Sequence, residues 1–116
     1  MIKELTIYHN PRCSKSRETL ELLKNSDAEI TIVDYLKRPP TYAQLKDILM
    51  KLNMKPEDII RKGEPIYKQK FAGKKFGPEE WIKIMTEYPM LIERPIIVRK
   101  NKAVLGRPPE NVLELL

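Results

Sequence analysis

The chain contains one cysteine, Cys13, among 116 residues, so no internal disulfide can form. A two-electron thiol cycle would therefore need its second thiol from outside. There is one histidine, His9. One histidine and one cysteine do not make a metal ligand set, and no metal is expected. Asp34 and Glu93 are single acids with no visible pairing, which leaves chemistry needing two carboxylates unsupported. No apolar run approaches the roughly 18 residues of a membrane span. Aromatics are only 7% and no nucleic-acid motif is present, so neither membrane nor nucleic acid is expected as a partner. The opening segment, Ile2-Lys3-Glu4-Leu5-Thr6-Ile7, carries charges where a signal peptide needs an apolar run. With the single thiol, this points to a reducing cytoplasm. No repeat, linker or low-complexity tract appears, and one domain over residues 1–116 is expected.

Positive charge is plentiful. The net charge is +6 and the pI about 9.4. Such a balance attracts anions, and a small oxyanion needs only a few convergent arginines. The Lys68–Lys75 stretch reads as a solvated basic face, and the five methionines are scattered.

Cys13 lies in Tyr8-His9-Asn10-Pro11-Arg12-Cys13-Ser14-Lys15-Ser16-Arg17. A strand signal ends at Tyr8, Asn10-Pro11 is a turn signal, and a helical pattern begins at Ser14. The thiol thus stands at a helix N-terminus among Arg12, Lys15 and Arg17. Helix dipole and fixed charges both favour thiolate. Ser16 is one helical turn on, so its hydroxyl either reaches back to Cys13 or is a small solvated helix residue. His9 either helps set the Cys13 pKa or is a half-buried histidine satisfied by backbone.

Lys3–Tyr8 reads as a strand, Ser14 to about Asn25 as a helix with Leu20 and Leu23 inward, and Glu29–Tyr35 as a second strand. That is a right-handed βαβ unit. After Arg38-Pro39-Pro40, Thr41 and Gln44 form a capping-box signature for a helix with Tyr42, Leu45, Ile48, Leu49 and Leu52 as its stripe. Pro56 opens a short helix ending near Ile60. Arg61–Gly77 reads as a loop with one turn of helix. Gly77-Pro78 opens a helix with Trp81, Ile82, Met85 and Tyr88 inward. Pro95–Arg99 and Lys102–Leu105 flank Lys100-Asn101 as a hairpin. Pro108-Pro109 opens a last helix with Val112, Leu113 and Leu116 apolar. The expected fold is α/β and thioredoxin-like, with a mixed sheet of about four strands and a helical insertion at about 41–90.

Arg61, Arg94 and Arg107 stand beside element boundaries, and periodicity alone leaves each a solvated charge. Arg94-Pro95 precedes a strand, where a thioredoxin-like fold puts a cis-proline facing its cysteine.

Tyr8–Arg17 resembles the active-site segment of the ArsC family of glutaredoxin-linked arsenate reductases. The resemblance continues through Tyr35-Leu36, Pro39-Pro40, Arg61-Lys62, Leu91-Ile92-Glu93-Arg94-Pro95-Ile96 and Arg107-Pro108-Pro109-Glu110 to Val112–Leu116. Cys13-Ser14-Lys15-Ser16-Arg17-Glu18-Thr19-Leu20 is most similar to its chromosomal YfgD-like branch. The resemblance implies Cys13 as nucleophile, His9 and Ser16 tuning or holding its thiolate, and Arg61, Arg94 and Arg107 as an oxyanion clamp. It implies reduction of arsenate to arsenite, with glutathione as co-substrate, glutaredoxin as partner and no bound cofactor; a monomer is expected. Spx-like regulators of the superfamily carry Cys-x-x-Cys, where this chain has Ser16 in place of the second cysteine. A non-enzymatic adaptor of that kind and a glutathione-linked thiol transferase are the alternatives.

Overall fold

A computed structural model describes residues 3–116. Two compact units emerge. One joins the chain up to Arg38 with Arg94–Leu116, and the other is Pro39–Glu93.

The first unit holds a four-stranded mixed sheet in the order β2-β1-β3-β4. β1 (Glu4–His9) leads into helix α1 (Ser14–Lys24) and then β2 (Glu29–Asp34), which pairs with β1 in parallel from Glu4↔Glu29 to His9↔Asp34. β3 (Ile96–Arg99) runs antiparallel to β1 and to β4 (Lys102–Leu105). Lys100, at φ 52°, turns the hairpin. This is the expected βαβ followed by ββ, shifted by a residue at strand ends. Leu5 and Ile7 alternate inward along β1 and meet Leu23, Ile97, Val112 and Leu115 in one core cluster. Each such side chain stabilises the fold by about 1.5–3 kcal/mol relative to exposure.

The inner face of α1 is Ser16, Thr19 and Leu23, at helical spacing. Two of these are polar, and each is satisfied. Thr19 Oγ1 donates to the Lys15 carbonyl at 2.8 Å and lies 3.3 Å from that of Gly106. Burial without such partners would be costly.

The closing segment departs from expectation. Pro109–Leu115 is a 3-10 helix, with Pro109, Val112 and Leu115 buried and Leu113 56% exposed. A 3-10 helix repeats every three residues, so 109, 112 and 115 share a face. The expected apolar set of Val112, Leu113 and Leu116 thus gives way to Pro109, Val112 and Leu115.

The second unit is helical. α2 (Tyr42–Leu52) starts with the expected capping box: Thr41 Oγ1 accepts from the Gln44 amide at 3.2 Å, and Gln44 Oε1 accepts from the Thr41 amide at 2.9 Å. A 3-10 turn, Pro56–Ile59, follows. Within the expected loop lies a six-residue helix, α3 (Pro65–Lys70), with Pro at its first position and no buried residue. α4 (Pro78–Glu87) buries Trp81, Ile82 and Met85. Phe71 and Phe76 pack edge-on against Trp81. Tyr88 lies just past α4 and is half-buried, and a further 3-10 turn, Pro89–Leu91, succeeds it. No helix among the described residues is long and apolar enough to cross a membrane.

Candidate active site

The site grows out of the turn between β1 and α1. The Cys13 amide donates to the Asn10 carbonyl at 3.0 Å, and the Arg12 amide to Asn10 Oδ1 at 3.0 Å. Arg17 Nη1 reaches back to the Pro11 carbonyl at 3.0 Å. Asn10 thus folds the turn through its side chain and backbone. Cys13 is the N-cap of α1, with extended backbone, and its carbonyl accepts from the Arg17 amide. An N-cap side chain faces the unpaired amides of the first turn.

The sulfur, on a partly buried residue, therefore meets donors from two directions. Arg107 Nη2 donates to Sγ at 3.3 Å. Burial alone would push the thiol up. The Ser16 amide, the Arg94 guanidinium, the charge of Arg107 and the Lys15 amide, in that order, outweigh it and hold the thiol below its ordinary value. The helix amides act as dipoles aimed at the sulfur, since no cap bond of full geometry closes there.

Both arginines are held in place. Arg107 Nε donates to the Arg94 carbonyl at 2.7 Å. Asn111 Nδ2 donates to the Arg107 carbonyl at 3.0 Å and to that of Leu105 at 3.1 Å. Each arginine precedes a cis-proline, Pro95 or Pro108. Gly106 binds its amide to the Pro95 carbonyl at 2.9 Å. A Cβ on Gly106 would lie 2.6 Å from Pro95 Cγ and 2.6 Å from Thr19 Oγ1, so only glycine lets this strand end close on α1. Gly106, Thr19 and Asn111 are supporting residues that sequence reasoning missed. Their sequence signal is faint: a glycine directly before an arginine, and polar residues on otherwise apolar faces.

Behind the cysteine, His9 and Ser16 are both buried. Ser16 Oγ lies 2.7 Å from His9 Nδ1 and accepts from the Asn10 amide at 3.0 Å. The Ser16 hydroxyl is thus engaged with the β1–α1 turn, while its amide serves the sulfur. Burial holds His9 below its ordinary pKa. Asp34 pulls it up, and Lys24 and Arg17 push it further down.

Arg61 stands in the second unit. An Ile60↔Ile92 bridge, with the Arg61 amide on the Leu91 carbonyl at 2.8 Å, brings it beside Glu93. Arg61 Nη1 pairs with Glu93 Oε1 at 2.6 Å, so Glu93 is not the solitary acid it looks in sequence. Arg61 Nε is buried and makes no hydrogen bond.

Known proteins align with this arrangement over nearly its whole length. The model of the ArsC family matches residues 8–115. The chain is 47% identical to the YfgD protein of Escherichia coli (strain K12), over 100% of this chain and 99% of that one. It is 40% identical to an arsenate reductase of the same strain, over 99% of this chain and 82% of that one. In structure it matches an arsenate reductase from Vibrio cholerae at a TM-score of 0.95 and 40% identity, covering 100% of both chains. With the family model spanning the cysteine turn, both arginine–proline pairs, the end of β1 and the whole of β2, β3 and β4, the chain belongs to the ArsC family.

Proposed function

We propose that this protein reduces arsenate to arsenite at Cys13, drawing its electrons from glutathione with glutaredoxin in a reducing cytoplasm. The observation that carries this reading is the donation from Arg107 to the Cys13 sulfur, with the Arg94 guanidinium beside it. Such a site favours a thiolate and tolerates an anion next to it, two conditions that ordinarily oppose each other. Guanidinium forks suit tetrahedral oxyanions, and donors fixed in advance cost no reorganisation during reaction.

In the proposed cycle arsenate takes the place beside Arg94 and Arg107. The Cys13 thiolate attacks arsenic, an oxygen leaves as water, and a sulfur–arsenic(V) bond forms. A glutathione thiolate then attacks the Cys13 sulfur. The sulfur–arsenic bond breaks with its electron pair going to arsenic, which leaves as arsenite, now arsenic(III). The remaining Cys13–glutathione disulfide is resolved by glutaredoxin, which takes up the glutathione and frees Cys13. Arg61 enters as the third arginine of the clamp on family resemblance. His9 and Ser16 support the thiolate by holding the turn and the first helical amides. Relatives named arsenate reductase at 40% identity over nearly the full chain support the choice of arsenate.

A coupled assay tests the reading: arsenate, glutathione, glutaredoxin and glutathione reductase, with NADPH consumption as readout. Turnover that needs every component and is lost in Cys13→Ser supports it. No turnover in the intact protein rejects it.

A further inference from the structure

Asp34 is a carboxylate that the reaction as written does not use, yet its place is specific. It closes β2 and pairs in register with His9 of β1. Register partners on neighbouring strands project to the same face of the sheet, so the two side chains lie side by side. Asp34 Oδ1 is buried and accepts no hydrogen bond. A buried carboxylate oxygen left so is costly.

The hydrogen bonds around His9 say what that oxygen is suited to accept. One lone pair of Ser16 Oγ takes the Asn10 amide proton, and its own proton is free to go to His9 Nδ1, 2.7 Å away. A neutral imidazole that accepts at Nδ1 carries its proton at Nε2 and needs an acceptor there. On the adjoining strand, Asp34 Oδ1 is a buried acceptor without a donor. His9 also lines a groove of about 520 Å³ with Ser14, Arg17, Glu18, Glu21 and Lys24. The charged groups around the ring are thus Asp34 from β2 and Arg17, Glu18, Glu21 and Lys24 from α1.

We propose that Asp34 is a positioning residue, which sets the Nε2–H tautomer of His9 and through Ser16 holds the first turn of α1 against the Cys13 sulfur. Asp34, His9 and Ser16 then form a relay running from the sheet edge to the helix N-terminus. The inference deepens the proposed function only in its effect on rate. The tautomer belongs to the folded chain whatever the substrate.

One histidine makes the test direct. Nitrogen-15 and carbon-13 NMR of the intact protein should show His9 as the Nε2–H tautomer. Asp34→Leu removes the acceptor and should move the ring toward Nδ1–H. It should also raise the Cys13 alkylation midpoint, slowing alkylation at pH 7 by roughly threefold to tenfold, for half to one pKa unit. Asp34→Asn keeps an acceptor and should largely retain the native tautomer and alkylation rate. A carboxylate acting only as a distant negative charge would give the opposite sign, since its loss lowers the Cys13 midpoint equally in both variants. That result, or an Nδ1–H ring in the unmutated protein, overturns the proposal. Absence of arsenate turnover would bear on the proposed function and leave the tautomer reading untouched.

Discussion

Arg107 Nη2 lies 3.3 Å from Cys13 Sγ, joining two residues 94 positions apart. The contact couples the end of the hairpin to the start of α1. It makes the thiol's reactivity a property of the fold rather than of the β1–α1 turn alone.

Replacing Arg107 with Ala should therefore raise the thiol pKa and weaken oxyanion capture together. A hydrogen bond to a charged group contributes about 1.5–3 kcal/mol. At roughly 1.4 kcal/mol per tenfold, arsenate turnover should fall by about 10- to 100-fold. Alkylation rate against pH reads the first effect and kcat/KM for arsenate the second. If the protein were instead a thiol transferase, reduction of protein–glutathione disulfides would survive the loss of Arg94 and Arg107.

Gly106→Ala should cost about 1–3 kcal/mol of stability, the usual range for overpacking a closed site. Its Cβ meets Pro95 and Thr19 at 2.6 Å, and neither is the far end of a flexible side chain. Because Arg107 is the next residue, Cys13 alkylation at neutral pH should slow as well. A denaturant melt and an alkylation time course check the two together.

His9 makes stability depend on mild acid. Its folded pKa lies below the ordinary value, chiefly through burial. The unfolded chain then binds the proton more readily, so stability rises with pH across that window. Its contribution is complete above about pH 6.5 and is lost as pH falls through the folded pKa. Denaturant midpoints between pH 7 and pH 5 should fall in the native protein, and the slope should flatten in His9→Asn. Cys13 obeys the same sign at higher pH, with its stabilisation present above the unfolded thiol pKa of about 8.5 and lost as pH falls through the lowered folded value.

Glu93→Ala should destabilise the second unit by about 1–3 kcal/mol, since it strips the partner from a guanidinium whose Nε is already buried without one. Glu93→Gln retains an acceptor oxygen and should cost less. Denaturant midpoints of the two variants, measured against the native chain, check the order.

What could be read from sequence was local. The Thr41–Gln44 box, the strand–helix–strand spacing and the place of Cys13 at a helix start all depend on residues within one or two turns. Leu115 rather than Leu113 is buried because α and 3-10 periods diverge over a short helix, and apolar spacing does not tell them apart. Helix α3 is longer than the one turn read in that loop, because none of its residues is buried and no apolar stripe marks its length. The Ser16 hydroxyl faces His9 rather than the thiol, seven residues back. Glu93 finds Arg61 across 32 residues. Such pairings depend on how strands and bridges align, and no residue spacing encodes them.

The most direct test of the account is mass spectrometry of the protein after arsenate and glutathione are added with glutaredoxin withheld. One glutathione joined by a disulfide to Cys13, formed only when arsenate is present and accompanied by one equivalent of arsenite, is the predicted result. Arsenite produced without that adduct, or undiminished in Cys13→Ser, would contradict it.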